Sequence, residues 1–345
     1  MPVRSTVIGA ALGVGALAAA LVFNGSLAHL LGTPQLYGAA WDARVTTTGQ
    51  GGVADVAAAV QADADVRDLA VGYVGVGLQI RSQRVDAIVL TPLVGSFEPR
   101  VVEGKLPIGP DEILLGSRTM GSLHAQVGDR VPVSLLGVPG SVSLRVVGRG
   151  VIPSTSDAAG LGTGASLSRE ALLSALDRLG SPLQTPPNPD NLVVRFAPRV
   201  DAAVARERLA GVVAPFGPTI VVLGPDKPSD VVNFGRVQSL PLALAGLMAA
   251  LAAATLAHLL VTSIRRRGRE LAIAAMAIGV PLGIAAGRWA WIVFARGLGI
   301  VPAPEVPILV LLLLVPGTII VANLVAVVPG ELAARLRPGR ALRAE

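Results

Sequence analysis

Four long apolar runs, at 7–31, 237–264, 271–295 and 306–328, carry a single formal charge among them, Arg288. A helix rising 1.5 Å per residue needs about 20 apolar residues to cross a hydrocarbon core about 30 Å thick. Each run is long enough, the third with least to spare. Composition agrees, since 52% hydrophobic against 15% charged residues over 345 positions is too apolar for an ordinary soluble domain. The expected fold is a membrane protein. A four-helix α-helical transmembrane bundle carries an α+β two-lobed extracytoplasmic domain inserted between its first two helices.

The formal charge of +6 is not spread evenly. Residues 32–236 hold 18 basic and 19 acidic side chains, so the excess sits beside the apolar runs, at Arg4, in "RRRGRE" and in the tail. A nucleic-acid surface needs a basic face on a folded domain, and no such partner is expected. Basic residues in short loops stay cytoplasmic, which sets the order of crossings. Residues 1–31 form the first helix, 32–236 lie outside, 237–264 return, and 265–270 form a short basic cytoplasmic loop. Residues 271–295 cross again, 296–305 form an outer loop, 306–328 return, and 329–345 are a basic cytoplasmic tail. The first run lacks a convincing A-x-A cleavage site and reads as a retained helix. Termini on the cytoplasmic side of the membrane, in contact with its lipids, follow.

Within 32–236 the pattern alternates. "DARVTTTG", "DLAVGYVGVGLQI", "QRVDAIVLTP", "GSVSLRVVGRGVIP", "NLVVRFAP" and "TIVVLGP" read as strands, and "GVADVAAAVQAD" as a small-residue helix. "SREALLSALDRL" and "DAAVARERLAGVVAPFG" read as helices capped by Ser168 and Asp201. A β-α-β opening and a β-α-β close around a β-rich middle imply two lobes, the second inserted into the first.

Catalytic chemistry is hard to find. There is no cysteine, and the three histidines, His29, His124 and His258, form no ligand spacing. Asp111 and Glu112 are adjacent and read as a solvated turn. "GLGTGAS" (160–166) lacks the lysine of a phosphate loop and reads as a mobile loop. No enzyme activity, metal or cofactor is expected. Gly9 and Gly13 form a G-x-x-x-G pair suited to close helix contact. Arg288 can snorkel outward beside Trp289 and Trp291 as an interfacial belt, and Pro281 is expected to kink the third helix.

"VVEGKLPIGPDEILLGSRTMGSLHAQVGDRVPV" resembles the outer-domain signature of the MacB/FtsX-type ABC transporter permeases. "VTSIRRRGRELAI" resembles that family's exit from its second helix, and the last two apolar runs with the basic tail resemble its C-terminal part. The resemblance covers nearly the whole chain, follows an actinobacterial subgroup, and matches the second repeat of a longer two-repeat permease. It implies a permease subunit with no ATPase of its own, served by a cytoplasmic ABC ATPase that binds the ATP. It also implies a second permease copy or half as partner. The other reading is a membrane-anchored extracytoplasmic sensor or scaffold without ATP coupling.

One departure stands out. After "RREL" the family continues as an amphipathic cytoplasmic helix that docks on the ATPase. Here Glu270 leads directly into "LAIAAMAIGVPLG", so that coupling helix is missing from its usual place. Arg265, Arg266, Arg267, Arg269 and Glu270 are what remains to face the cytoplasm and the ATPase.

Overall fold

The computed structural model describes residues 2–47, 52–155, 160–180, 188–225, 227–237, 239–244, 246–247, 250, 268–313 and 316, without the side chains of 2–7, 10, 237 and 268–275. The chain divides into two compact units. One comprises Met1–Leu31, Phe234–Phe294 and Pro302–Glu345, and the other Gly32–Asn233 with Ala295–Val301.

The second unit is built on one ten-stranded sheet. In chain order its strands are β1 (Ala43–Thr46), β2 (Val66–Ile80), β3 (Gln83–Val94), β4 (Arg100–Gly104) and β5 (Glu112–Gly116), then β6 (Arg130–Leu135), β7 (Val142–Val151), β8 (Ala165–Ser166), β9 (Asn191–Phe196) and β10 (Val221–Leu223). The helices packed on it are α2 (Val53–Gln61), α3 (Ser117–Ser122), α4 (Arg169–Arg178) and α5 (Ala202–Val213), and α6 (Ser229–Val237) begins at its end. The sheet runs β10-β1-β9-β2-β3-β8-β5-β7-β4, with β6 joining β2 to β7.

That last pairing closes a ring. β2 pairs with β3, β3 with β8, β8 with β5, β5 with β7, β7 with β6, and β6 again with β2. The inserted lobe is therefore a small six-stranded barrel, which leaves none of these strands as an open edge. Strand alternation fills it. On β7, Val142, Leu144 and Val146 are buried while Ser143 and Arg145 are exposed, the period-2 pattern of a sheet with one wet face. Met120 of α3, Leu123 at its end, and Leu172 and Ala175 of α4 join the same core.

The other lobe is an open sheet, β10-β1-β9-β2-β3, with α2 and α5 on one face. Its core of Val45, Val56, Val60, Leu69, Leu192, Val194 and Leu209 is separate from that of the barrel. Two lobes, the second inserted in the first, are thus what the chain forms. β2 and β3 serve both. Between Val74 and Val76 the β2 register slips by one residue, and Gly75 takes φ +86 there. This bulge turns the strand from one lobe into the other.

Both expected caps are present. The Ser168 hydroxyl accepts from Ala171 N, and Asp201 accepts from Ala203 N and Val204 N. β4, β8 and α6 went unread in the sequence. Two are very short or edge elements, and α6 runs into an apolar stretch that hides its polar start.

In the first unit, α1 (Pro2–Gly32) and α7 (Gly268–Leu298) both contain stretches long and apolar enough to cross a membrane, Ala11–Gly32 and Met276–Leu298. The third apolar run therefore sits in a longer helix than 271–295. It takes in Arg269 and Glu270, which are helical rather than loop, and it passes through Pro281 unbroken. Residues 265–267, most of 237–264 and most of 306–328 lie outside the described residues.

Along α7 the buried positions are Met276, Gly279, Gly283, Gly287, Trp291 and Ala295. This four-residue stripe faces α1 up to the aromatic end. A Cβ on Gly279 would lie 2.6 Å from Ala11 O, one on Gly283 2.3 Å from Gly15 O, and one on Gly287 2.7 Å from Ala19 O. Only glycine permits the two backbones to come this close. Both sets of numbers rise together, so the two helices run in the same direction. At the far end of the seam the Ser26 hydroxyl donates to Val22 O at 2.7 Å and accepts from Glu305 N at 2.9 Å. Leu311 then packs against Ala18 and Val22.

Candidate functional site

Three short segments of the second unit continue directly into helices of the first: 32–41 after α1, 229–233 at the start of α6, and 295–301 at the end of α7. The attachments of these segments within the second unit define the candidate site.

The first segment leaves α1 through a 3-10 turn, Pro34–Tyr37, closed by Gly38 at φ +96. A side chain on Gly38 would lie 2.8 Å from Ile152 O, so the left-handed turn and the close approach both require glycine. Arg195 on β9 then holds the segment. It donates to Ala40 O at 2.7 and 3.2 Å and to Asp68 Oδ2 at 3.0 Å, with its guanidinium 5.0 Å above the Phe97 ring. Trp41, 3% exposed, is buried beside Phe97 and Val193.

The other two segments meet the loop 160–164. Asp230 Oδ2 accepts from Arg118 Nη1 at 3.1 Å and from Leu161 N at 2.9 Å. On the same loop Gly162 O accepts from Arg118 N at 2.8 Å, and a Cβ on Gly162 would lie 2.5 Å from Leu298 O. Gly116 N donates to Gly164 O, and Gly164 N donates to Thr119 Oγ1. A Cβ on Gly299 would lie 2.6 Å from Ser117 Cβ, and Val301 N reaches Leu36 O at 3.5 Å. The glycine-rich stretch is therefore no loose loop. It is pinned between α3, α6 and the end of α7, and its glycines are there because three backbones converge.

The loop reaches the barrel through α3 and β5, where a second polar cluster sits. Glu112, which the sequence suggested lay in a solvated turn, is 4% exposed. Its Oε1 accepts from Lys105 Nζ at 2.7 Å and Arg145 Nη2 at 3.1 Å, and its Oε2 accepts from Ile108 N and Gly109 N, both at 3.1 Å. The bond from Lys105, then those from the backbone, outweigh burial and bring its carboxyl down to about 2. "EGKLPIGPDE" is thus a loop folded back onto its own glutamate. Asp111 points the other way, to Arg130 at 3.1 Å. A cleft of about 450 Å³ opens beside α3, lined by Arg84 and Asp86 of β3 with Arg118, Thr119 and Thr163.

The residues singled out in the sequence fall elsewhere. Gly9 is exposed, with nothing within 4 Å of a Cβ placed on it. Gly13 is half-buried. On α1 a Cβ on Gly15 would lie 3.2 Å from Gly279 O of α7. Arg288 and Trp289 are on the outside of α7, Trp289 at 69% exposure. Trp291 does not join them as an interfacial anchor. It is 1% exposed and meets the Phe23 ring edge-on at 5.5 Å and the Phe294 ring at 5.6 Å. A two-residue step on a helix turns the side chain by about 200°, so the two tryptophans cannot share a face. Arg269 and Glu270 lie in the first turn of α7, and Arg265, Arg266 and Arg267 are outside the described residues. Arg118, Asp230 and Arg195 carried no sequence signal; the run of glycines at 160–164 was the available clue. No cluster of three metal-ligating side chains occurs among the described residues.

No family model and no curated protein matches the chain. Among solved structures, the periplasmic region of MacB from Actinobacillus actinomycetemcomitans is similar at 11% identity and TM-score 0.34, over 56% of this chain and 90% of that one. The extracellular domain of the noncanonic ABC-type transporter YknZ from Gram-positive bacteria is similar at 11% identity and TM-score 0.31, over 49% of this chain and 88% of that one.

Proposed function

We propose that this chain is the transmembrane permease subunit of an ABC-type machine, in which a separate cytoplasmic ATPase drives the extracytoplasmic domain for export, extraction or signalling. It is neither an enzyme nor a nucleotide-binding protein in this reading; ATP belongs to the partner. The observation that carries the reading is the convergence of 229–233 and 295–301 on the single loop 160–164. A domain that was merely tethered would need one attachment. This one is gripped by the start of one helix and the end of another, the arrangement required to convert helix displacement into domain displacement.

Helix direction supports the multi-pass topology. α1 and α7 run the same way along their glycine seam, so a chain that spans with both must cross back between them. The apolar run at 237–264 is the segment long enough to do so. Leu311, following Glu305 and Pro307 down α1 from Ser26 toward Ala18, supports a fourth span of opposite direction. The exposed Ile278, Leu282, Trp289 and Val293 suit contact with lipid.

α7 already contains Arg269 and Glu270, which supports the absence of a separate coupling helix after the basic cluster and therefore weakened coupling to the ATPase. Affinity isolation of the chain from membranes should bring down an ATPase with a Walker motif, and inserting an amphipathic coupling helix after Glu270 should raise its stimulation. A folded chain that retains no ATPase in either form leaves the scaffold reading in its place. Topology is checked on the same material, because the chain has no cysteine. Gln83→Cys should react with an impermeant maleimide on intact cells, and Arg266→Cys only after permeabilisation.

A further inference from the structure

We propose that the cleft beside α3 is a binding site for a small anionic solute bearing a phosphate or carboxylate group, and that filling it draws Arg118 away from Asp230. At about 450 Å³ the cleft lies within the roughly 300–1,000 Å³ typical of small-molecule sites. Among the described residues it presents two guanidiniums, Arg84 and Arg118, each facing a carboxylate, Asp86 and Asp230. Arg84 is 74% exposed and stands 3.8 Å from Asp86, beyond hydrogen-bond distance. It is therefore loosely held and available to a better acceptor. Thr119 Oγ1 accepts from Gly164 N, which leaves its hydroxyl proton for a ligand oxygen. Two guanidiniums and a hydroxyl form a donor set suited to an oxyanion, because arginine meets such groups with parallel N–H donors.

Arg118 belongs to both structures. It lines the cleft, and through one Nη1 bond at 3.1 Å it holds Asp230, the residue that also receives Leu161 N. Both side chains of that pair are partly solvated, at 42% and 26% exposure, so a ligand oxyanion competes with the Asp230 carboxylate on near-equal terms. Linkage is reciprocal: whatever weakens the Arg118–Asp230 pair must strengthen the ligand, and the ligand must weaken the pair. A solute in the extracytoplasmic medium would thus adjust the grip of loop 160–164 on α6. Binding itself requires no ATPase, so its test is independent of the permease reading.

The test is calorimetric titration of glycerol 1-phosphate, inorganic phosphate and uncharged glycerol into the full chain in phosphatidylcholine nanodiscs. Saturable binding is expected for the two phosphates and none for glycerol. Arg84→Gln and Arg118→Gln should each weaken it by about tenfold, the scale of one lost charged hydrogen bond. Asp230→Asn should tighten it by about threefold or more. Repeating the titration with phosphatidylglycerol in the discs separates the sources of the phosphate group. A lower apparent affinity there assigns the cleft to a lipid headgroup, and an unchanged one to a free solute. Arg84 is exposed and its substitution leaves the fold intact, so equal affinity in Arg84→Gln overturns the site. Equal or weaker affinity in Asp230→Asn overturns the competition.

Discussion

The α1–α7 seam and the Glu112 loop are both close approaches of chain, and they are held by opposite means. In the seam three glycines, four residues apart, let backbones meet with no polar group between them. Around Glu112 a buried carboxylate collects four donors within 3.1 Å. Between apolar helices in lipid, burial of apolar surface drives nothing, and shape must supply the attraction. In a domain surrounded by water, a buried charge is tolerated only when its hydrogen bonds are complete. The seam should therefore fail by added bulk, and the loop by lost charge.

The largest effect is expected at Gly283. A Cβ there would lie 2.3 Å from Gly15 O and 2.7 Å from Ala18 Cβ, and neither backbone nor a buried methyl can yield. Gly283→Leu should cost about 3 kcal/mol, the upper range for overpacking. It should abolish a disulfide engineered between α1 and α7. Gly9→Leu, placed where no atom lies within 4 Å, should leave that disulfide intact. Equal yields of the crosslink in the two variants would break the comparison on its apolar side.

The polar side is tested at Glu112. Glu112→Ala removes four acceptor contacts and should cost about 2 kcal/mol, as for hydrogen bonds to a charged group, read as faster hydrogen exchange across 108–116. The sign of the pH dependence follows from the lowered carboxyl, which titrates at about 2 in the folded chain instead of 4.5. A depressed folded value adds stability that is complete above 4.5 and is lost as pH falls toward 2. Protection of this loop should decline across that window, and Glu112→Gln should flatten the decline. An unaltered pH profile in the variant would assign the acid sensitivity to other carboxylates.

How much of this could be read from the sequence depends on the range of the interaction. The strands from β1 to β10 that alternate over several residues, and the caps at Ser168 and Asp201, are local patterns and stand where expected. The barrel closure was not legible, because β6 must pair with β2 as well as with its neighbour β7, and the β2–β6 pairing, between residues more than 40 apart, leaves no periodic mark. Glu112 looked solvated beside Asp111, yet neighbours on a strand face opposite ways, and only the fold decides which one turns inward. Trp291 failed for the matching reason on a helix. Among the described residues the close approach of α1 and α7 lies at Gly15 and the three glycines of α7, whose four-residue spacing is a second signal of the kind Gly9 and Gly13 carry. Arg118 and Asp230 are 112 residues apart and have no pattern to betray them.

The smallest effect on stability, and the one closest to function, is expected at Asp230. An ion pair exposed to this degree is worth well under about 1 kcal/mol, so Asp230→Asn should scarcely move the thermal midpoint. Its local consequence should be larger than its global one, because Asp230 also accepts from Leu161 N at 2.9 Å, and a neutral amide oxygen accepts more weakly than a carboxylate. Hydrogen exchange should quicken at Leu161 and Thr163 with no change around Glu112. Reversing the pair, Arg118→Asp with Asp230→Arg, restores opposite charges but leaves an arginine where the Leu161 amide needs an acceptor. If the loop is held by charge attraction alone, the double variant recovers its protection. If it is held, as the geometry has it, by a carboxylate bridging a guanidinium and a backbone amide, the double variant stays as open as Asp230→Asn.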